Sequence, residues 1–279
     1  MTFIRVLSTG RSQVIKDAAF CELLSNQLPA DTIPINKLFL AFDKEIFKNN
    51  ITVTKSALSN VHGDWYEWLI ALAAWNYCAK HKKANFILLT PNVSKFDISR
   101  LYKDKLYDFI KDLREKVLKS SSVKLITSNP DFVIINRTLV DATIGEVNKI
   151  TVFDENTIKK IASIFKEFSG KCDFEDIIGY VAVKTSFRPD RRLQIAHEGS
   201  LMKAIYTHLQ TREWIIQPKG LKYYAMTTKV GTPDRIALKT VATHSITTVQ
   251  SIPQTAVDEL FEVNFLKDAQ AAFSQILKP

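Results

Sequence analysis

Apolar residues follow two different spacings along this chain. Through roughly the first 120 residues they recur every three or four positions, the period of a helix with one buried stripe. From Val14 to Gln27 the residues Ala18, Cys21 and Leu24 keep that period, and Pro29 and Pro34 predict its end. A longer helix is predicted from about Ser56 to Lys82, carrying the run WYEWLIALAAWNYCA. ANFILLT, from Ala84 to Thr90, is a short apolar run that predicts a buried strand, stopped by Pro91. A charged amphipathic helix is predicted from about Lys95 to Lys119.

The pattern then changes. VKLIT (Val123 to Thr127) and DFVIINR (Asp131 to Arg137) are β-branched runs separated by Ser128-Asn129-Pro130, and both predict strands. A helix from about Glu155 to Phe168 leads to a strand over GYVAVKTSF, Gly179 to Phe187. Another helix is predicted from near Asp190 to about Leu209. Strands are predicted at Leu221 to Thr228 and Arg235 to Ala242, with a C-terminal helix over Thr255 to Leu277. Strands alternating with helices imply an α/β fold with a mixed central β-sheet flanked by helices. The expected division is a mainly helical part over 1–120 and an α/β core over 121–279, although no Gly/Ser-rich linker marks the boundary.

Composition narrows the class. Hydrophobic residues make up 46% and charged residues 24% of the 279, which fits a soluble globular protein and not a disordered one. No stretch approaches the ~20 apolar residues of a membrane helix, and the first residues lack a signal-peptide core, so the expected location is the cytoplasm. Cys21, Cys78 and Cys172 are far apart without CxxC spacing, which argues against a zinc or disulfide framework; they read as reduced core or surface thiols. The eight glycines form no phosphate-cradling loop, and the scattered His62, His81, His208 and His244 show no metal-ligand spacing. The net charge of +9 suits a polyanionic partner, because lysines and arginines set against phosphates release condensed counterions.

Candidate chemistry rests on four residues. Asp131 follows Pro130 at a predicted strand start, Lys184 lies near the end of another strand, and Glu198 lies fourteen residues further on. Glu67 sits in the long N-terminal helix among Trp65, Tyr66, Trp68 and Trp75. Phosphodiester hydrolysis wants these types: carboxylates hold Mg²⁺, which neutralises the scissile phosphate, and a lysine orients the attacking water. The plainer readings are a turn aspartate, a solvent-facing strand lysine and a glutamate paired with an arginine. The aromatic stripe from Trp65 to Tyr77 reads as core or subunit interface, not as a base-stacking platform.

The segment KTSFRPDRRLQIAHEG, Lys184 to Gly199, sharpens this picture. Arg188, Asp190, Arg191 and Arg192 fall within five residues at the mouth of a helix. Arginine forks suit guanine O6 and N7, and a carboxylate suits cytosine N4. A helix cap explains Asp190, but three cations at the positive end of a helix dipole are not explained that way. His197 adjoins Glu198 in sequence, yet helical neighbours point about 100° apart, so it reads as structural or as a phosphate contact.

This pattern resembles the CCGG family of type II restriction endonucleases, a branch of the PD-(D/E)xK nucleases. Pro130-Asp131, Lys184, Arg188-Pro189-Asp190-Arg191 and Glu198 match its elements in order. Ala182 stands two before the lysine, where the ordinary nuclease motif has an acid, and Glu198 looks like its spatial replacement. GDWYE, Gly63 to Glu67, resembles the family's N-terminal glutamate stretch, with Asn60 seven residues earlier. TPDR, Thr232 to Arg235, resembles a loop whose arginine contacts the outer base pair.

The resemblance implies a restriction-endonuclease-like core in which Asp131, Glu198 and Glu67 bind Mg²⁺ and Lys184 positions the water. Arg188, Asp190 and Arg191 would read CCGG in double-stranded DNA, with Asn60 and Arg235 in peripheral contacts. Cleavage before the first C, 5′-CCGG overhangs, and a homodimer or tetramer are implied, the N-terminal part contributing to dimerisation. Arg192 is assigned to a phosphate by inference and not by the resemblance. The rival readings are a non-catalytic DNA-binding protein, which has no use for Asp131, Lys184 and Glu198 together, and a shape-specific repair or junction nuclease, which has no use for the Arg188–Arg191 cluster.

Overall fold

A computed structural model describes residues 3–6, 8, 10, 12–49, 52–91, 96–126, 129–246 and 253–279. A hairpin of β1 (Ile4–Val6) and β2 (Ser12–Val14) opens the chain and leads into α1 (Lys16–Leu23). Next come α2 (Ile35–Asn49), the long α3 (Lys55–Lys80) and β3 (Phe86–Leu89). A 3₁₀ turn at Ile98–Leu101 precedes α4 (Asp104–Ser121), followed by β4 (Phe132–Ile135), α5 (Arg137–Ile144) and α6 (Glu155–Ser163). A second 3₁₀ turn, Ile164–Phe168, leads to β5 (Ile177–Val183), then α7 (Pro189–Arg212) and β6 (Lys222–Thr227). The chain closes with α8 (Thr232–Leu238), α9 (Thr243–Ile246), β7 (Glu259–Glu262) and α10 (Leu266–Ile276).

The central sheet has five strands in the order β3-β4-β5-β6-β7. The pairs β3/β4 and β4/β5 are antiparallel, while β5/β6 and β6/β7 are parallel, so the sheet is mixed as the alternating pattern implies. Every residue of FILL in β3 and of FVII in β4 is buried, because helices cover both faces. α3 packs against β3 and α10, and α7 crosses from β5 to its parallel neighbour β6. Thr54 starts α3 by accepting the Ala57 N–H at 3.2 Å. From Leu69 to Ala74 α3 is buried on all sides, and Leu69 and Ile70 each contribute about 1.5–3 kcal/mol by leaving water. Buried residues from before and after position 120 belong to one core.

Four expectations change. Residues 123–126 form no strand: α4 runs to Ser121 and ends on left-handed Ser122, and Val123 and Ile126 face solvent without a partner strand. Thr127 lies outside the described residues. Arg235 to Ala242 is not a strand: its first half, to Leu238, is the end of α8, and the rest is turn and loop with one isolated bridge at Val241. Pro233 opens that helix and Asp234 accepts the Gly231 N–H at 2.7 Å, which makes TPDR a helix start and not a loop. The predicted C-terminal helix is split, with β7 pairing to β6 before α10 begins. Pro34 introduces α2 instead of merely ending the helix before it, and α1 spans less than Val14 to Gln27. The β1/β2 hairpin and α5 had no counterpart in the pattern.

Candidate active site

The antiparallel register sets the start of β4 beside the end of β5, since Phe132 pairs with Val181. Asp131 immediately precedes β4 and Lys184 immediately follows β5, so both emerge at the same sheet edge. Lys184 Nζ lies 2.7 Å from each carboxylate oxygen of Asp131. The Val183 N–H also donates to Asp131 Oδ2 at 2.7 Å, fixing the carboxylate against the strand. Glu67, on the buried side of α3, brings Oε1 to 3.8 Å from the same ammonium.

Burial pushes the Glu67 carboxyl well above the usual range; the negative charges of Asp131 and Asp64 add to this, and Lys184 opposes them. Burial alone would lower the lysine, but Asp131, Glu67 and Glu198 hold it above its ordinary value, so it is a charged ammonium. Glu198 projects from α7, is only 4% exposed, and has both oxygens hydrogen-bonded. Gln194 Nε2 donates to Oε1 at 2.9 Å and Tyr223 Oη to Oε2 at 2.8 Å.

Among the described residues no three His, Cys, Asp or Glu side chains converge as a ready-made metal cage. A cation-seeking centre is present nonetheless, because the Lys184 ammonium sits between Asp131 and Glu67 and feels Glu198. All-oxygen donors of this kind suit a hard divalent cation.

A cleft of about 560 Å³ opens above this centre and is lined by Asn60, Glu67, Lys184, Arg188 and Arg191, together with Lys16 and Asp64, which form an ion pair at its rim. Asn60 lies two turns from Glu67 on the same face of α3. Pro189 at the first position of α7 starts that helix where the arginines point out. Arg188 and Asp190 are both highly exposed and only loosely paired, at 3.4 Å. Five predicted residues do not line the cleft: Asp131 and Glu198 are half-buried and buried beside it, Asp190 stands in solvent, and Arg192 and Arg235 are engaged elsewhere. Arg192 Nε donates to the buried Asp234 at 2.6 Å, tying α7 to α8, and Arg235 on α8 is exposed with Glu259 Oε1 at 4.0 Å.

Sequence reasoning missed Tyr223, Gln194, Asp64 and Lys16. Tyr223 is fully buried and carried no signal beyond strand propensity; Gln194 had one, its four-residue spacing before Glu198. Trp65 and Tyr66 are core, and His62 pairs with Asp43 at 2.8 Å. The three cysteines are free and buried.

Residues 10–279 match the Cfr10I/Bse634I restriction endonuclease family. The chain belongs to that family. As a Cfr10I/Bse634I-type protein it is a type II restriction endonuclease, a site-specific deoxyribonuclease. It is 45% identical to the type II restriction enzyme Cfr10I of Citrobacter freundii over 99% of both chains. Its fold superposes on the crystal structure of the type IIF restriction endonuclease Bse634I with cognate DNA at a TM-score of 0.89. That pair shares 32% identity, and the match covers 99% of this chain and 98% of the other. A second Bse634I structure matches at 0.87, again with 32% identity, over 100% of this chain and 98% of that one. Restriction endonucleases of this type generally need divalent metal ions. No helix among the described residues of this family member is long and apolar enough to cross a membrane.

Proposed function

We propose that this endonuclease binds double-stranded DNA at a palindromic site containing CCGG and cuts before the first C, leaving 5′-CCGG overhangs. One observation carries the reading. The Asp131–Lys184–Glu67 centre lies at the floor of a cleft whose wall is formed by Arg188 and Arg191. Asp131, Glu67 and Glu198 would hold Mg²⁺, which when bound neutralises the scissile phosphate and makes water a better nucleophile. Lys184, held charged by Asp131, orients that water along the sheet edge. Arg188 and Arg191 donate to guanine edges and Asp190 accepts from cytosine N4, all three having exposed or half-exposed side chains free to turn outward.

Asn60 makes a contact from the opposite wall, and Arg235 reaches the outer base pair from α8. Arg192, braced through Nε on Asp234, offers the rest of its guanidinium to a phosphate. A palindrome read by one chain calls for two-fold symmetry, which a homodimer or tetramer supplies, and the 1–120 part contributes to that interface. The working compartment is the cytoplasm.

The test is digestion of a sequenced plasmid with Mg²⁺ or with EDTA, followed by mapping of the ends. Discrete Mg²⁺-dependent fragments beginning at CCGG support the reading. Fragments beginning elsewhere overturn the site, and retention in a gel shift without cutting points to a binder.

A further inference from the structure

Between the tip of α7 and Glu198 a hydrogen-bonded relay runs along one stripe of the helix. Arg191 Nη1 donates to Gln194 Oε1 at 2.9 Å, and Gln194 Nε2 donates to Glu198 Oε1 at 2.9 Å. Steps of three and then four residues bring these side chains over one another. On the far side, Tyr223 Oη donates to Glu198 Oε2 at 2.8 Å.

These two bonds to Glu198 differ in kind. Tyr223 is fully buried, and its backbone N–H donates to Asp258 Oδ2 at 2.8 Å. That same oxygen takes the buried Lys203 of α7 at 2.6 Å, so helix and strand are locked together. Gly199 permits the lock, because a Cβ there would stand 2.2 Å from the Ala256 carbonyl oxygen. Gln194, by contrast, is exposed, and its amide is held only through hydrogen bonds to two side chains of its own helix.

We propose that Gln194 couples base reading to metal acquisition. With Arg191 turned along the helix, Gln194 is anchored and covers Glu198 Oε1. When the Arg191 guanidinium swings to a guanine edge, Gln194 loses that anchor and gives up its bond to Oε1 in favour of the cation, while Tyr223 keeps the carboxylate aimed. A wrong base leaves Arg191 on Gln194 and Glu198 masked, so discrimination acts on chemistry as well as on binding. Gln194 is a positioning residue in this scheme, acting through Glu198. The inference rests on the proposed roles of Arg191 in base reading and Glu198 in cation binding.

Mn²⁺ binding to the DNA-free protein, followed by electron paramagnetic resonance, separates the possibilities. Gln194→Ala is expected to tighten Mn²⁺ binding about five- to tenfold, and Glu198→Ala to weaken it. In parallel, the kcat/KM ratio between the true site and a site with one changed base pair is expected to fall by a similar factor in Gln194→Ala. If Gln194→Ala leaves Mn²⁺ affinity unchanged or weaker while Glu198→Ala weakens it, the latch does not exist. If Mn²⁺ tightens but the kcat/KM ratio holds, the coupling to reading is overturned. If Glu198→Ala leaves Mn²⁺ binding intact, the underlying metal assignment fails, and the proposal with it.

Discussion

The floor of the cleft and its rim treat charge in opposite ways. At the floor, Asp131, Lys184, Glu67 and Glu198 are wholly or largely buried, and Asp131 is held by a strand N–H as well as by the lysine. At the rim, Arg188 and Asp190 stand in solvent with one bond at 3.4 Å between them. A buried charge without a partner is costly, so the floor must be satisfied before substrate arrives, and its geometry is fixed by folding. An exposed pair contributes little, so the rim gives up almost nothing when its side chains turn to a ligand. Under the proposed roles, chemistry is placed where the protein is rigid, and recognition where exchange of partners is cheap.

The sharpest way to break this contrast is at the floor. Lys184→Ala or Asp131→Ala is expected to lower the cleavage rate by about 10²–10³-fold or more while specific DNA binding in a gel shift survives. Normal cutting by either variant would remove the floor from the mechanism. Next comes the joint between floor and rim. Gly199→Ala forces a Cβ against the Ala256 carbonyl and is expected to cost about 1–3 kcal/mol in denaturant unfolding. An unchanged midpoint would mean that α7 can shift freely on the sheet. At the rim, Arg188→Ala is expected to lose about 1–3 kcal/mol of discrimination at one base pair and to leave folding unchanged. A preference that stays the same across all single-pair variants of the site counts against base reading. The smallest effect is expected in the core. Burial pushes the thiols of Cys21 to about 11 and of Cys78 and Cys172 to about 12, so at pH 8 they stay protonated. Ellman's reagent should then react only on unfolding; rapid labelling of the native protein would show the core opening.

Legibility in the sequence follows the same division. Lys184, Arg188, Asp190, Arg191 and Glu198 share one strand-to-helix segment, so their spacing survives as a linear signal, and the structure places Lys184, Arg188 and Arg191 on one cleft with Glu198 buried below. Glu67 showed itself as a carboxylate in an apolar helix. Tyr223 did not, because a buried tyrosine on a strand looks like core, and its bond to Glu198 spans 25 residues of chain. Arg192 read as a phosphate contact because its partner Asp234 is 42 positions away and left no local signal. The strand misassigned at Arg235 to Ala242 failed for a related reason: its apolar spacing resembled a strand, but Pro233 and the Asp234 cap decide for a helix.

The unbroken span of α7 from Pro189 to Arg212 makes the helix a ruler. Seven residues separate Arg191 from Glu198, which at 1.5 Å per residue is about 10 Å along the axis. That length is close to three base-pair steps of about 3.4 Å each. Under the roles proposed here, the offset between the base that is read and the bond that is cut is written in covalent geometry. One residue added between those two positions would rotate Glu198 about 100° out of phase with the sheet edge. Recognition can therefore drift by substitution at the tip of the helix, while the distance to the cut stays fixed.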